Sequence, residues 1–69
     1  MPIINVTLIE GRAPEKLRDF ITALTDAAVQ SLDAPKESVR VILNEVPATN
    51  FAAGDVTVAE RSAAKSKLA

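Results

Sequence analysis

Apolar residues at the start of the chain recur with a period of two. Pro2, Ile4, Val6 and Leu8 share one face of an extended segment; Ile3, Asn5, Thr7 and Ile9 share the other. The first face is wholly apolar and predicts packing against a helix. The second mixes polar and apolar side chains, as a face that meets another subunit does. Proline is tolerated at Pro2 because it opens the strand. Glu10-Gly11-Arg12-Ala13 reads as a turn, and Pro14 suits the first position of a helix. The period then changes. Leu17, Phe20, Ile21, Leu24, Ala28 and Leu32 follow the spacings of one helical face, which predicts a helix over 14–32. Ala13 is a weak N-cap, whereas Glu15 stands near the positive end of the helix dipole, where a carboxylate helps. Lys16, Arg18, Asp19, Asp26 and Gln30 fall on the solvated side of this helix. Pro35 disfavours helical backbone at Ala34 and ends it.

A second strand is predicted over 39–46. Val39, Val41 and Leu43 lie on one face; Arg40, Ile42 and Asn44 lie on the other. Strand, helix and strand joined by short loops imply parallel pairing and a right-handed crossover. The expected fold class is therefore α/β (α+β), a single β-α-β unit complete by residue 46. Gly54-Asp55 predicts a tight turn ahead of an extended Val56-Thr57-Val58, which gives a short C-terminal hairpin. Residues 59–69 are rich in alanine and lysine, and 61–69 read as a helical or frayed tail. One domain covering 2–69 is expected.

Composition narrows the chemistry. A chain of 69 residues rarely buries enough apolar area to offset its ordering entropy. It has no cysteine for a disulfide, so a symmetric oligomer is the expected remedy. Eight basic and nine acidic residues leave a net charge of -1, which is no footprint for nucleic acid. Two phenylalanines do not make a base-stacking platform. No apolar run reaches the ~18 residues of a membrane span. No basic stretch followed by an apolar one marks a signal peptide, so a cytoplasmic location is expected. With neither histidine nor cysteine, the usual zinc sites and the Ser-His-Asp and Cys-His machineries are excluded. Carboxylates, lysines and the N-terminal amine are the bases left.

Met1 precedes a small residue and is a good substrate for removal of the initiator. Pro2 would then carry a free secondary amine, although the dipeptide alone does not separate a catalytic amine from an ordinary start. Arg12 lies in a turn. Arg40 lies inside an otherwise apolar strand, where a charge is costly unless it is paired or reaches water. An ion pair with Glu37 or Glu45 satisfies that requirement, and so does a ligand. Phe51 follows the β-α-β unit in a loop, as a satellite of the core or as the lining of a site.

Four stretches carry a resemblance. They are Pro-Ile-Ile from Pro2, Leu-Ile-Glu-Gly-Arg ending at Arg12, Ser-Leu-Asp-Ala-Pro ending at Pro35, and Ser-Val-Arg-Val-Ile-Leu-Asn-Glu from Ser38. In that order and spacing, without a gap from Pro2 to Phe51, they resemble the 4-oxalocrotonate tautomerase (2-hydroxymuconate tautomerase) family. The resemblance implies a cofactor-independent tautomerase whose substrate is a small enol, typically a dicarboxylate met in aromatic hydrocarbon catabolism. It also implies a homohexamer built as a trimer of dimers, with sites made by more than one subunit. Pro2 would be the catalytic base, and Arg12 and Arg40 would handle the substrate carboxylates, Arg40 also taking part in the chemistry. Phe51 would line the site. Backbone contacts would come from near Ile9 and Ser38.

The chemistry suits these residue types. A base works best with a pKa near the operating pH. An ordinary α-amine sits near 7.7–8.0, and neighbouring guanidinium charges with an apolar pocket would lower it. The resemblance weakens after Phe51. Family members often carry a glycine-rich stretch there, and this chain has Ala52-Ala53-Gly54-Asp55. Hydration or dehalogenation of unsaturated halo-acids, as known in the same superfamily, needs a carboxylate in that region, and Asp55 is the nearest. A non-catalytic oligomerisation module is the third reading, favoured if Met1 is retained.

Overall fold

The β-branched run at the start forms β1 (Ile3–Ile9), and β2 (Arg40–Val46) pairs with it in parallel, Ile3 opposite Arg40 and Ile9 opposite Val46. This computed structural model describes the backbone of residues 1–68 and the side chains of residues 1–64. The ladder is extended at both ends. The Arg40 N–H donates to the Pro2 carbonyl at 2.9 Å, and the Glu10 N–H donates to the Val46 carbonyl at 2.9 Å.

Between the strands runs α1 (Pro14–Leu32), which has the bounds predicted from its pattern. Pro14 sits at its start and Ala13 provides no side-chain cap. The Ala13 carbonyl accepts from the N–H groups of Lys16 and Leu17 at 3.0 and 3.3 Å. The helix stops two residues before Pro35, at Asp33, whose φ of 54° is left-handed. Aspartate tolerates that conformation better than most residues.

Alternation along the strands sorts the sheet into two faces. Ile4, Val6, Leu8, Val41 and Leu43 are half-buried; Ile3, Asn5, Thr7, Ile42 and Asn44 are exposed. Ile3 keeps 61% and Ile42 46% of its surface, and on the same face Asn44 donates to the Asn5 side chain at 3.2 Å across the two strands. Ala28 is the only buried residue among those described, at 7% exposure. Leu32, expected on the apolar face, is instead exposed. A helix of 19 residues is about 28 Å long, whereas a seven-residue strand spans about 23 Å. The last turn therefore overhangs the sheet.

The second strand begins at Arg40 rather than Val39, which closes a 3-10 turn over Lys36–Ser38. After a second 3-10 turn at Ala48–Asn50, β3 (Ala52–Ala53) and β4 (Val56–Thr57) form the expected antiparallel hairpin. Its connecting residues Gly54 and Asp55 both have positive φ, 58° and 66°, as a type I′ turn requires. Val58 is not part of the extended stretch; it opens α2 (Val58–Leu68). The start of α2 is a reciprocal capping box. The Glu60 N–H donates to the Thr57 hydroxyl at 3.0 Å, and the Thr57 N–H donates to the Glu60 carboxylate at 2.9 Å.

The Thr57 N–H, and then the Thr57 hydroxyl, hold the Glu60 carboxyl below its ordinary pKa. A depressed carboxylate pKa contributes stability that is present above the unfolded value and lost as pH falls through the folded one. The expected result is a Thr57 amide proton resonance that titrates with a midpoint below that of an ordinary glutamate. Glu60→Gln abolishes this titration.

The fold leaves much of itself uncovered. Its accessible surface is 5258 Å², against roughly 4200 Å² for a compact monomer of this mass. Its radius of gyration is 15.9 Å, against about 11 Å for a compact chain of this length. Among the described residues, no helix is long and apolar enough to cross a membrane.

Candidate active site

The parallel ladder gathers three of the candidate residues at its N-terminal end. Pro2 is half-buried, and its carbonyl is tied to the Arg40 backbone. Just upstream, the Pro35 carbonyl accepts from the Ser38 N–H at 2.9 Å and from the Ser38 hydroxyl at 2.8 Å. The hydroxyl of Ser38 thus fastens its own turn. This turn presents the Glu37 carbonyl, which accepts from the Arg40 guanidinium. The bond made by Arg40 is therefore to a backbone carbonyl, not to the Glu37 or Glu45 carboxylate. A carbonyl occupies one N–H and leaves the charge un-neutralised, so an edge of the guanidinium is free to take an anion through two parallel bonds.

The C-terminal end of the same ladder holds Ile9 and Arg12. The Arg12 guanidinium donates to the Ile9 carbonyl at 3.0 Å. Both arginines are thus held by one device, a carbonyl three residues earlier. Phe51 follows β2 beyond this end, after the Ala48–Asn50 turn, and is 41% exposed. Its carbonyl accepts from the Val58 N–H at 2.8 Å, which anchors the hairpin to the loop.

Beside Arg12 lies an open groove of about 680 Å³, lined by Leu8, Arg12, Ala13, Lys16, Leu17 and Phe20. Helical periodicity sends Lys16 to the solvated side, and it is exposed. It nevertheless shares this groove with Arg12. The available signal was its distance of four residues from Arg12, the separation at which side chains near a helix start become neighbours.

One chain does not bring the two groups together. Pro2 and Ile9 are seven residues apart on an extended strand, about 23 Å at 3.3 Å per residue. Pro2, Ser38 and Arg40 belong to one end; Ile9 and Arg12 belong to the other, with Phe51 beyond it. Among the described residues, no group of three or more carboxylates is placed to hold a metal ion.

Comparison with known proteins covers nearly all of these positions. The model of the family described as "Tautomerase enzyme" matches residues 2–61. The chain is 54% identical over 65 residues to a probable tautomerase of Ralstonia nicotianae, covering 94% of this chain and 89% of that one. It is 43% identical over 54 residues to a 2-hydroxymuconate tautomerase of Stutzerimonas stutzeri, covering 78% of this chain and 86% of that one. Among solved structures, it is similar to a heterohexamer 4-oxalocrotonate tautomerase from Chloroflexus aurantiacus. The TM-score is 0.83 at 37% identity, over 87% of this chain and 97% of that one.

Proposed function

The chain belongs to the tautomerase family, and from that premise we propose that it moves one proton in a 2-hydroxydienoate such as 2-hydroxymuconate to give the 2-oxo isomer. Removal of Met1 frees the Pro2 nitrogen, which takes the 2-hydroxyl proton. The dienolate that results carries its charge on the 2-oxygen and along the chain. As the 2-oxygen becomes a ketone, the C2=C3 and C4=C5 double bonds are replaced by one new C3=C4 bond conjugated with it, which requires the proton to return at C5. The base that accepted it delivers it there, so no proton is gained or lost overall.

Arg40 holds the 1-carboxylate and the 2-oxygen, where negative charge grows. Arg12 anchors the distal carboxylate. Phe51 excludes water, and the backbone near Ile9 and Ser38 supplies further contacts. The observation that carries this reading is the bond from the Arg40 N–H to the Pro2 carbonyl. It ties the two residues that the chemistry needs most to one strand end, and the carbonyl-held guanidinium retains its charge.

The active form is a homo-oligomer, a hexamer made as a trimer of dimers. The excess surface supports this, as do the two half-sites at opposite strand ends. The open face with Ile3 and Ile42 is the natural subunit contact. Ile42→Asp places a charge there and is expected to convert the assembly to smaller species with loss of activity. Sedimentation velocity checks it, and an unchanged sedimentation coefficient would remove this face from the interface.

The test of the activity is spectrophotometric. Protein whose intact mass shows Met1 removed is expected to consume 2-hydroxymuconate with formation of the 2-oxo isomer. Full turnover by protein that retains Met1 would end the amine mechanism, because the prolyl nitrogen is then an amide.

A further inference from the structure

We propose that Lys16, which shares the groove beside Arg12, is a second, specificity-determining cation for the distal carboxylate of the substrate. This inference rests on the tautomerase reading above. Of the six residues that line the groove, Arg12 and Lys16 are positively charged and none is negative. The remaining four, Leu8, Ala13, Leu17 and Phe20, are apolar. Such a lining suits an anion attached to a carbon chain better than a hydrated inorganic ion.

The position of Lys16 is fixed by the fold. It is the third residue of α1, and its N–H bonds to the Ala13 carbonyl at 3.0 Å. A lysine in the first turn of a helix opposes the dipole, whose positive end favours carboxylates. It also shares a groove with a second cation. A bound carboxylate relieves both conflicts. The capacity of about 680 Å³ falls in the range of sites that enclose drug-sized ligands.

Steady-state kinetics of Lys16→Met and Arg12→Ala test the proposal on two substrates. One is 2-hydroxymuconate; the other is 2-hydroxy-2,4-pentadienoate, which lacks the distal carboxylate. Lys16→Met keeps the apolar stem and removes the charge. It is expected to raise KM for the dicarboxylate about tenfold, the worth of one charge-assisted contact, with kcat and the monocarboxylate constants unchanged. Equal losses on both substrates overturn the proposal. So does no loss on either while Arg12→Ala remains selective for the dicarboxylate. If Arg12→Ala shows no such selectivity, the distal-carboxylate reading itself fails. Loss of the assembly in Lys16→Met, seen by sedimentation velocity, makes the groove a subunit contact and also overturns the subsite.

Discussion

Replacing Pro2 with alanine in Met-processed protein is expected to lower kcat/KM by about 10²-fold, the lower end of the 10²–10⁴ that a positioned general base contributes. The loss is incomplete for a chemical reason. Alanine also offers a free α-amine, with a similar intrinsic basicity. It loses the ring closure, which fixes the direction of the nitrogen lone pair, and the secondary amine itself. The pH profile separates this from a general structural defect. The base must be deprotonated to act, so activity falls as pH drops through its pKa. That acid limb should persist in Pro2→Ala at reduced height. It should vanish, along with turnover, in protein that keeps Met1. Full activity in Pro2→Ala would show that the ring nitrogen has no special part.

Arg40→Ala is expected to lower kcat by about 10²–10³-fold, the cost of removing one preorganised donor from a developing oxyanion, and to raise KM as well. Two features of the structure bear on this size. The guanidinium is fastened by the Glu37 carbonyl, so it is oriented before substrate arrives. Its charge is not cancelled by that partner, so it would stay available to a dienolate bound there. Arg40→Lys should rescue little, because an ammonium lacks the planar fork that holds a carboxylate and a neighbouring oxygen together. Turnover of Arg40→Ala and Arg40→Lys on 2-hydroxymuconate checks both statements. An unchanged kcat would leave Arg40 as a strand residue clipped to its own turn.

The parts of this fold that were legible in the chain are those written in side-chain pattern. Alternation over Ile3–Ile9 and the three-four spacing from Leu17 onwards define β1 and α1, and Pro14 marks where the helix begins. Loop length makes the strands parallel. What escaped was decided by backbone or by relative length. The partner of Arg40 is a carbonyl, which every residue possesses, so no search for a complementary carboxylate could find it. Leu32 fits the helical face in sequence but overhangs a shorter sheet in space. Lys16 is solvated by periodicity, yet β1 ends at a point that makes it the wall of a groove. The Thr57-Val58-Ala59-Glu60 capping box is present in the letters, but Thr57 and Val58 also fit an extended stretch, and only the backbone decides that the helix starts there.

The distance of about 23 Å between the two ends of β1 has a thermodynamic meaning for the proposed enzyme. On that proposal each chain would supply a proton carrier to one centre and an anchoring cation to another, so a lone chain would hold two incomplete centres and no working one. Catalytic output then obeys mass action among the copies themselves. On dilution, the rate would fall faster than protein concentration, and binding of a ligand that bridges the two halves would draw the copies together.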